Sequence, residues 1–329
     1  MFVTHKTDAM TERSPAYAIL AIDSEDRFKN YVEQRNSSVG SYNDSPYNFQ
    51  ITKNESMMNG FFTRLALTEI CFPWAVGNVN QKTNRMLFNY SIGGVAQPQA
   101  LLKLSYGFYR PSEIAAELQR QIRAVATDLS GFQVGYGASD IPNFAFLRGN
   151  PAVQFSFSPM PSNTSAYPFP NTTKQLYDLL GLDVSRAGTE TVLKTNVISG
   201  FTFCQAFRYI DITCNQLTYN QALKDTMSQS VARDTLCRLY VGDGPYTGTS
   251  TLSPRDPDFC PPGCAPFVIY RQFTNPKFIR WLPNQPVQGN LQFVVYDDAG
   301  DQFGDLGPEV VNPRLIEANW SMTLLVSED

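Results

Sequence analysis

A chain of 329 residues with 17% charged side chains, 13% aromatic ones and a net charge of −4 can bury a substantial core, as one large unit or two smaller ones. The acidic balance and the absence of long basic runs exclude a general nucleic-acid-binding face, because duplex affinity rests on neutralising phosphates with Lys and Arg. No apolar run approaches the roughly 18–20 residues that a membrane span requires.

Residues 1–14 are polar and charged, without the apolar segment of a signal peptide, and read as a flexible arm. Tyr17 to Asp23 is a compact apolar strand, ended by Ser24-Glu-Asp-Arg27. A polar stretch rich in Asn, Ser and Gly leads to a second alternating segment, Tyr47 to Thr52. Phe61 to Phe72 carries Leu65 and Leu67 at strand spacing, and Pro73-Trp74 reads as its stop. Asn78-Val-Asn80 makes a turn before a strand from Met86 to Ile92.

The texture then changes. Pro111 and Ser112 supply a helix start, and Ile114, Leu118, Ile122 and Val125 follow at helical spacing. Short strands are expected at Phe132–Tyr136, Asn143–Leu147 and Val153–Phe157. After a Pro-rich loop, Thr173 to Leu182 reads as a short helix closed by Gly181. From Val197 strands return: Val197–Phe203, Arg208–Leu217, Leu236–Val241, Phe267–Phe273, Phe278–Leu282, Leu291–Tyr296 and Trp320–Val326. Their β-branched and aromatic residues suit pleated packing. No fixed-period repeat appears.

The organisation expected is mainly β: an arm over 1–14, a sandwich made from 15–77 plus 200–329, and an inserted α+β or small β lobe over 78–199. Two stacked β-sandwiches are the alternative.

Chemistry-bearing residues are sparse. The one histidine, His5, lies on the arm, without the partners a nucleophilic triad needs. No phosphate-binding glycine loop is present. Six cysteines (Cys71, Cys204, Cys214, Cys237, Cys260 and Cys264) are too few for a disulfide scaffold of this length and suit buried thiols in a protein made in a reducing cytoplasm. Cys260-Pro-Pro-Gly-Cys264 is the most metal-like element, although a second ligand pair would have to come from afar. Its other reading is a tight loop that brings two thiols together, free or as a late disulfide. Asp297, Asp298, Asp301 and Asp305 crowd one loop with the carboxylates calcium uses. Their spacing does not match an EF-hand loop, since the closing Glu is missing, and a solvated connection is the better reading. Cys260, Cys264, Asp297 and Asp301 are thus weak metal candidates. No cofactor and no enzymatic activity are expected.

Ala21-Ile-Asp-Ser-Glu-Asp-Arg27, Ser45-Pro-Tyr-Asn-Phe-Gln-Ile51, the strand from Leu65 to Pro73 and Asn78-Val-Asn80 resemble the opening of jelly-roll capsid proteins from virophages, polinton-like viruses and related eukaryotic DNA viruses. Tyr109 through Leu118 and Leu179-Leu-Gly-Leu182 resemble a module of their minor capsid or penton proteins. The resemblance spreads over about two-thirds of the chain and is built from short motifs. The chain is shorter than the double jelly-roll major capsid proteins of this lineage, which favours the penton. It implies a single viral jelly roll with an inserted lobe, the alternative being a compact double jelly roll. The implied function is a structural virion protein forming a homopentamer at icosahedral vertices. Its implied neighbours are major capsid proteins, and the outward-facing insertion is the surface open to a host receptor. Two rival readings stand beside it: a small major or minor capsid protein, and a carbohydrate-binding β-sandwich used for host attachment.

Overall fold

The computed structural model describes residues 17–27, 45–52, 64–74, 76–138, 140–170, 173–182, 192–218, 224–225, 232–233, 235–241, 253, 255–256, 258–261, 263–276, 278–280, 290–303 and 319–327. The proposed arm over 1–14, with His5, and Asp305 fall outside them.

The strands are, in order, β1 (Tyr17–Asp23), β2 (Asn48–Thr52), β3 (Arg64–Trp74), β4 (Arg85–Ile92), β5 (Val95–Ala96), β6 (Ala100–Lys103), β7 (Gln133–Tyr136), β8 (Phe144–Leu147) and β9 (Val153–Ser158). They continue with β10 (Asn196–Ile198), β11 (Tyr209–Thr213), β12 (Lys224–Asp225), β13 (Ala232–Arg233), β14 (Thr235–Tyr240), β15 (Phe267–Gln272), β16 (Phe278–Arg280), β17 (Asn290–Asp297) and β18 (Ser321–Ser327). Two α-helices are described, α1 (Pro111–Val125) and the single turn α2 (Leu176–Leu179).

Two antiparallel sheets form a jelly-roll sandwich. One has the order β1-β18-β3-β15, with β16 also paired to β3; the other runs β14-β11-β17-β2. If the eight principal strands are lettered B to I along the chain, the sheets read B-I-D-G and F-E-H-C. This interleaving is that of a jelly roll, in which consecutive strands other than the paired E and F cross between sheets. Period-2 patterning aims the core. Met322, Leu324 and Val326 of β18 and Leu291, Phe293 and Val295 of β17 are buried, as alternate residues on one face must be. The sheets meet through aromatic rings: Trp320 lies 5.5 Å from Phe49 and 6.1 Å from Phe72, centroid to centroid.

Between β3 and β11 the chain builds two smaller sheets, β5-β4-β6 with β9 also paired to β4, and β10-β8-β7. Phe88, Phe132, Phe146, Phe155 and Phe157 interlock there, with centroids from 4.6 to 6.0 Å apart. Helix α1 buries Ile114, Ala115, Leu118 and Ile122 as its apolar stripe. Pro111 opens its first turn, and the Glu113 carboxylate accepts the Arg110 N–H at 2.7 Å. These strands do not form a second jelly roll.

Several boundaries differ from the sequence reading. β3 continues through Pro73 to Trp74. β18 makes its last pair at Cys71, so Pro73 has a ladder partner only in β15 and its missing N–H is tolerated. The strand expected over Val197–Phe203 is confined to Asn196–Ile198. Beyond it Cys204 takes a left-handed φ of 56° and the chain leaves the extended conformation. Val95–Ala96 and Ala100–Lys103 pair with β4, although no strand is expected there from sequence. Among the described residues no helix is long and apolar enough to cross a membrane.

Candidate functional site

The acidic loop after β17 does not stand in water. Asp297 is 2% exposed and Asp301 13%, and both carboxylates receive Lys82, itself 3% exposed, with Nζ 3.1 Å from Oδ2 of each. Oδ1 of Asp297 accepts the backbone N–H groups of Ala299, Gly300 and Asp301 at 3.0, 2.8 and 2.9 Å. The Thr173 hydroxyl donates to Oδ2 of Asp301 at 2.7 Å. Lys82 is placed from its own side: its N–H donates to the Asn80 side chain at 2.9 Å, and its carbonyl accepts the Tyr167 hydroxyl at 2.8 Å. The Phe169 ring lies 5.9 Å from the ammonium. Burial pushes the Asp297 carboxyl above its ordinary value, with Lys82 pulling the other way.

A second polar layer lies alongside. Lys174 donates to the Gln205 carbonyl at 2.6 Å, and burial lowers its pKa against the pull of Asp298 and Asp178. Arg208 pairs with Asp298 at 2.9 Å. Asn78, fully buried, donates to the carbonyls of Tyr109 and Cys204 at 2.9 and 3.1 Å and accepts the Tyr109 N–H at 2.9 Å. The backbones also touch: Val79 and Gly107 exchange both hydrogen bonds, and a Cβ on Gly77 would sit 2.2 Å from the Gly107 oxygen. Only glycine fits that approach. These contacts join residues 77–82, 107–109, 167–169, 173–174 and 204–205 to the end of the sandwich that carries the β17 loop.

The outer faces of the two sandwich sheets differ. On the β14-β11-β17-β2 sheet, buried Asp211 meets Arg238 across the strands. On the other sheet Ile19, Leu325, Ala66 and Phe278 fall on one register line across four strands. Ile19 is 73% exposed and Phe278 40%, with Tyr17, Val268 and Tyr270 also exposed on the two flanking strands, β1 and β15. The Tyr270 hydroxyl donates to Glu69 at 2.6 Å.

Of the weak metal candidates, Cys260 and Cys264 are joined to each other as a disulfide, so neither offers a thiolate. Cys204, Cys214 and Cys237 are buried free thiols raised by burial, the last two to about 12. Asp297 and Asp301 do converge, but on a lysine ammonium. The reading of their loop as a solvated connection is therefore corrected: backbone amides and Lys82 replace water around the carboxylates. Among the described residues no three His, Cys, Asp or Glu side chains are grouped as metal ligands. Lys82 and Thr173 were not legible as site residues because Lys82 sits in a polar turn, where a lysine ordinarily faces solvent, and Thr173 reads only as the start of a helical segment.

No protein-family model matches the chain, and no curated protein matches it. Among solved structures, the mavirus penton protein is similar in fold over 96% of this chain and 100% of that one, with 10% sequence identity and a TM-score of 0.47. At that level the functional reading rests on this chain's own geometry. What that geometry defines is a jelly-roll β-sandwich with a buried polar junction at one end and an apolar outer sheet face.

Proposed function

We propose that this chain is a structural capsid protein of the virion, a penton whose homopentamer closes icosahedral vertices. The outer face of the β1-β18-β3-β15 sheet carries the reading. Tyr17, Ile19, Val268, Tyr270 and Phe278 stand exposed on a sheet whose other face is already filled by core, and exposed apolar area of this kind marks a contact surface. Five upright copies around an axis would form a closed heterologous ring, one flank of each meeting a different flank of the next. In this reading residues 15–77 and 200–329 form the ring, residues 78–199 are a lobe raised outward and open to a host receptor, and residues 1–14 tie the base to neighbouring major capsid proteins. The protein acts by packing rather than by catalysis and is made in the host cytoplasm.

The test is the oligomeric state of the full chain by native mass spectrometry, with negative-stain imaging for rings. A pentamer is the expected result. A trimer would favour a small major or minor capsid protein, and a monomer that binds glycans would favour host attachment; either overturns the penton reading.

A further inference from the structure

Lys82, Asp297 and Asp301 combine a nucleophile, an electrophile and a base in one buried place, and we propose that the chain closes an intramolecular amide between Nζ of Lys82 and Cγ of Asp297. The inference does not depend on the capsid reading.

Four observations carry it. Nζ lies 3.1 Å from Oδ2 of Asp297, the oxygen that would leave, and 3.1 Å from Oδ2 of Asp301, a second carboxylate placed to take its proton. Oδ1 of Asp297 faces three backbone N–H groups, of Ala299, Gly300 and Asp301. Negative charge would develop on that oxygen at the tetrahedral stage, and donors already aimed there stabilise it without rearrangement. Thr173 fixes the base by donating to the same Oδ2 of Asp301 at 2.7 Å. Finally, the Lys82 ammonium and the Asp297 carboxylate are buried, with Asp301 mostly so, beside Tyr167 and Phe169. Buried charge is costly, and condensation turns one ammonium and one carboxylate into a neutral amide. Contact held by the fold supplies the high effective concentration such a step needs. The raised pKa of Asp297, caused first by burial, is in keeping with easy protonation of its leaving oxygen.

The step balances without a co-reactant. Asp301 accepts a proton from the Lys82 ammonium, and the freed lone pair attacks Cγ of Asp297. The Nζ–Cγ bond forms while Oδ1 carries the charge. Asp301 relays two protons from Nζ to Oδ2; the Cγ–Oδ2 bond breaks and that oxygen leaves as water. Asp301 ends as the carboxylate it began as. The product ties residue 82 covalently to the loop after β17, across 215 positions of sequence.

Intact-mass measurement of the reduced, denatured full chain tests this. The expected mass is that of the sequence less one water, with a branched peptide containing Lys82 and Asp297 in tandem spectra after digestion. Lys82→Arg, which keeps the charge, is expected to restore the full mass. Asp301→Asn is expected to leave most of the chain uncondensed while circular dichroism shows it folded. A wild-type chain at full mass, with Lys82 and Asp297 in separate peptides, overturns the proposal. So does a water loss that persists in Lys82→Arg, which would place the dehydration elsewhere.

Discussion

Asn78 holds Tyr109 by both of its backbone groups, accepting the N–H and donating to the carbonyl, each at 2.9 Å. Its amide reaches the Cys204 carbonyl as well, so one buried side chain joins three separate segments. Asn78→Ala would leave these largely buried backbone groups without that partner, and each buried orphan costs about 1–3 kcal/mol. The expected loss is about 3 kcal/mol in urea unfolding. Asn78→Asp, which keeps the acceptor but buries a carboxylate against the Tyr109 and Cys204 carbonyls, is expected to lose at least as much as the alanine variant at neutral pH.

Asp211 and Arg238 make the second such test. They are register partners on β11 and β14, joined by two hydrogen bonds of 2.6 and 2.7 Å, and the guanidinium lies 3.9 Å from the Tyr209 ring. Arg238→Met would strand the buried Asp211 carboxylate, at a cost of about 3 kcal/mol. Arg238→Lys would keep the charge but lose the fork and the ring contact, and is expected to recover only part of that stability. Thermal unfolding of the three chains measures the order.

Burial raises the Asp178 carboxyl above its ordinary 3.8, with the Gln175 N–H and Lys174 opposing. A carboxyl whose pKa rises on folding contributes most while it is protonated in both states. That advantage is lost as pH climbs through the folded value. Asp178→Asn keeps an acceptor for the Gln175 N–H, now 2.9 Å away, and has no such loss. Its stability relative to wild type should therefore improve as pH rises from about 3, below the ordinary carboxylate value, through the raised folded value. A constant difference across that window would count against the buried, ionising carboxylate described here.

The exposed sheet face gives the assembly prediction. Ile19→Lys and Tyr270→Glu each place a charge on an already exposed position, so the monomer fold should survive with little change in melting temperature. If that face meets a sister subunit, the burial of an unpaired charge should shift native mass spectra toward monomer. An unchanged oligomer in both variants would move the contact elsewhere.

Much of the sandwich was legible because its strands carry alternating apolar residues between Pro, Gly and Asn breaks. Met322, Leu324 and Val326 could hardly be read otherwise, and helix α1 announced itself through Pro111 and the Ile114, Leu118, Ile122 spacing. The junction was not legible. Lys82 gains its meaning only from Asp297 and Asp301, more than two hundred positions away, and period or composition says nothing about partners at that distance. The acidic loop was visible as charge, but whether its carboxylates face water or a lysine is decided by tertiary packing. Pro73 misled for the opposite reason: a residue that usually ends strands is harmless where one neighbouring strand has already stopped.

β18 runs between β1 and β3, pairing with both along its whole length. The one of the eight sandwich strands that is made after the other seven therefore occupies an interior place in its sheet, and until it arrives β1 and β3 flank an open slot. Sheet closure has to wait until β18 has been made, and such long-range pairing is slow. The incomplete chain meanwhile offers a strand-sized vacancy to any passing β segment, including β18 of another copy. The outer face of this sheet is therefore complete only once β18 is in place.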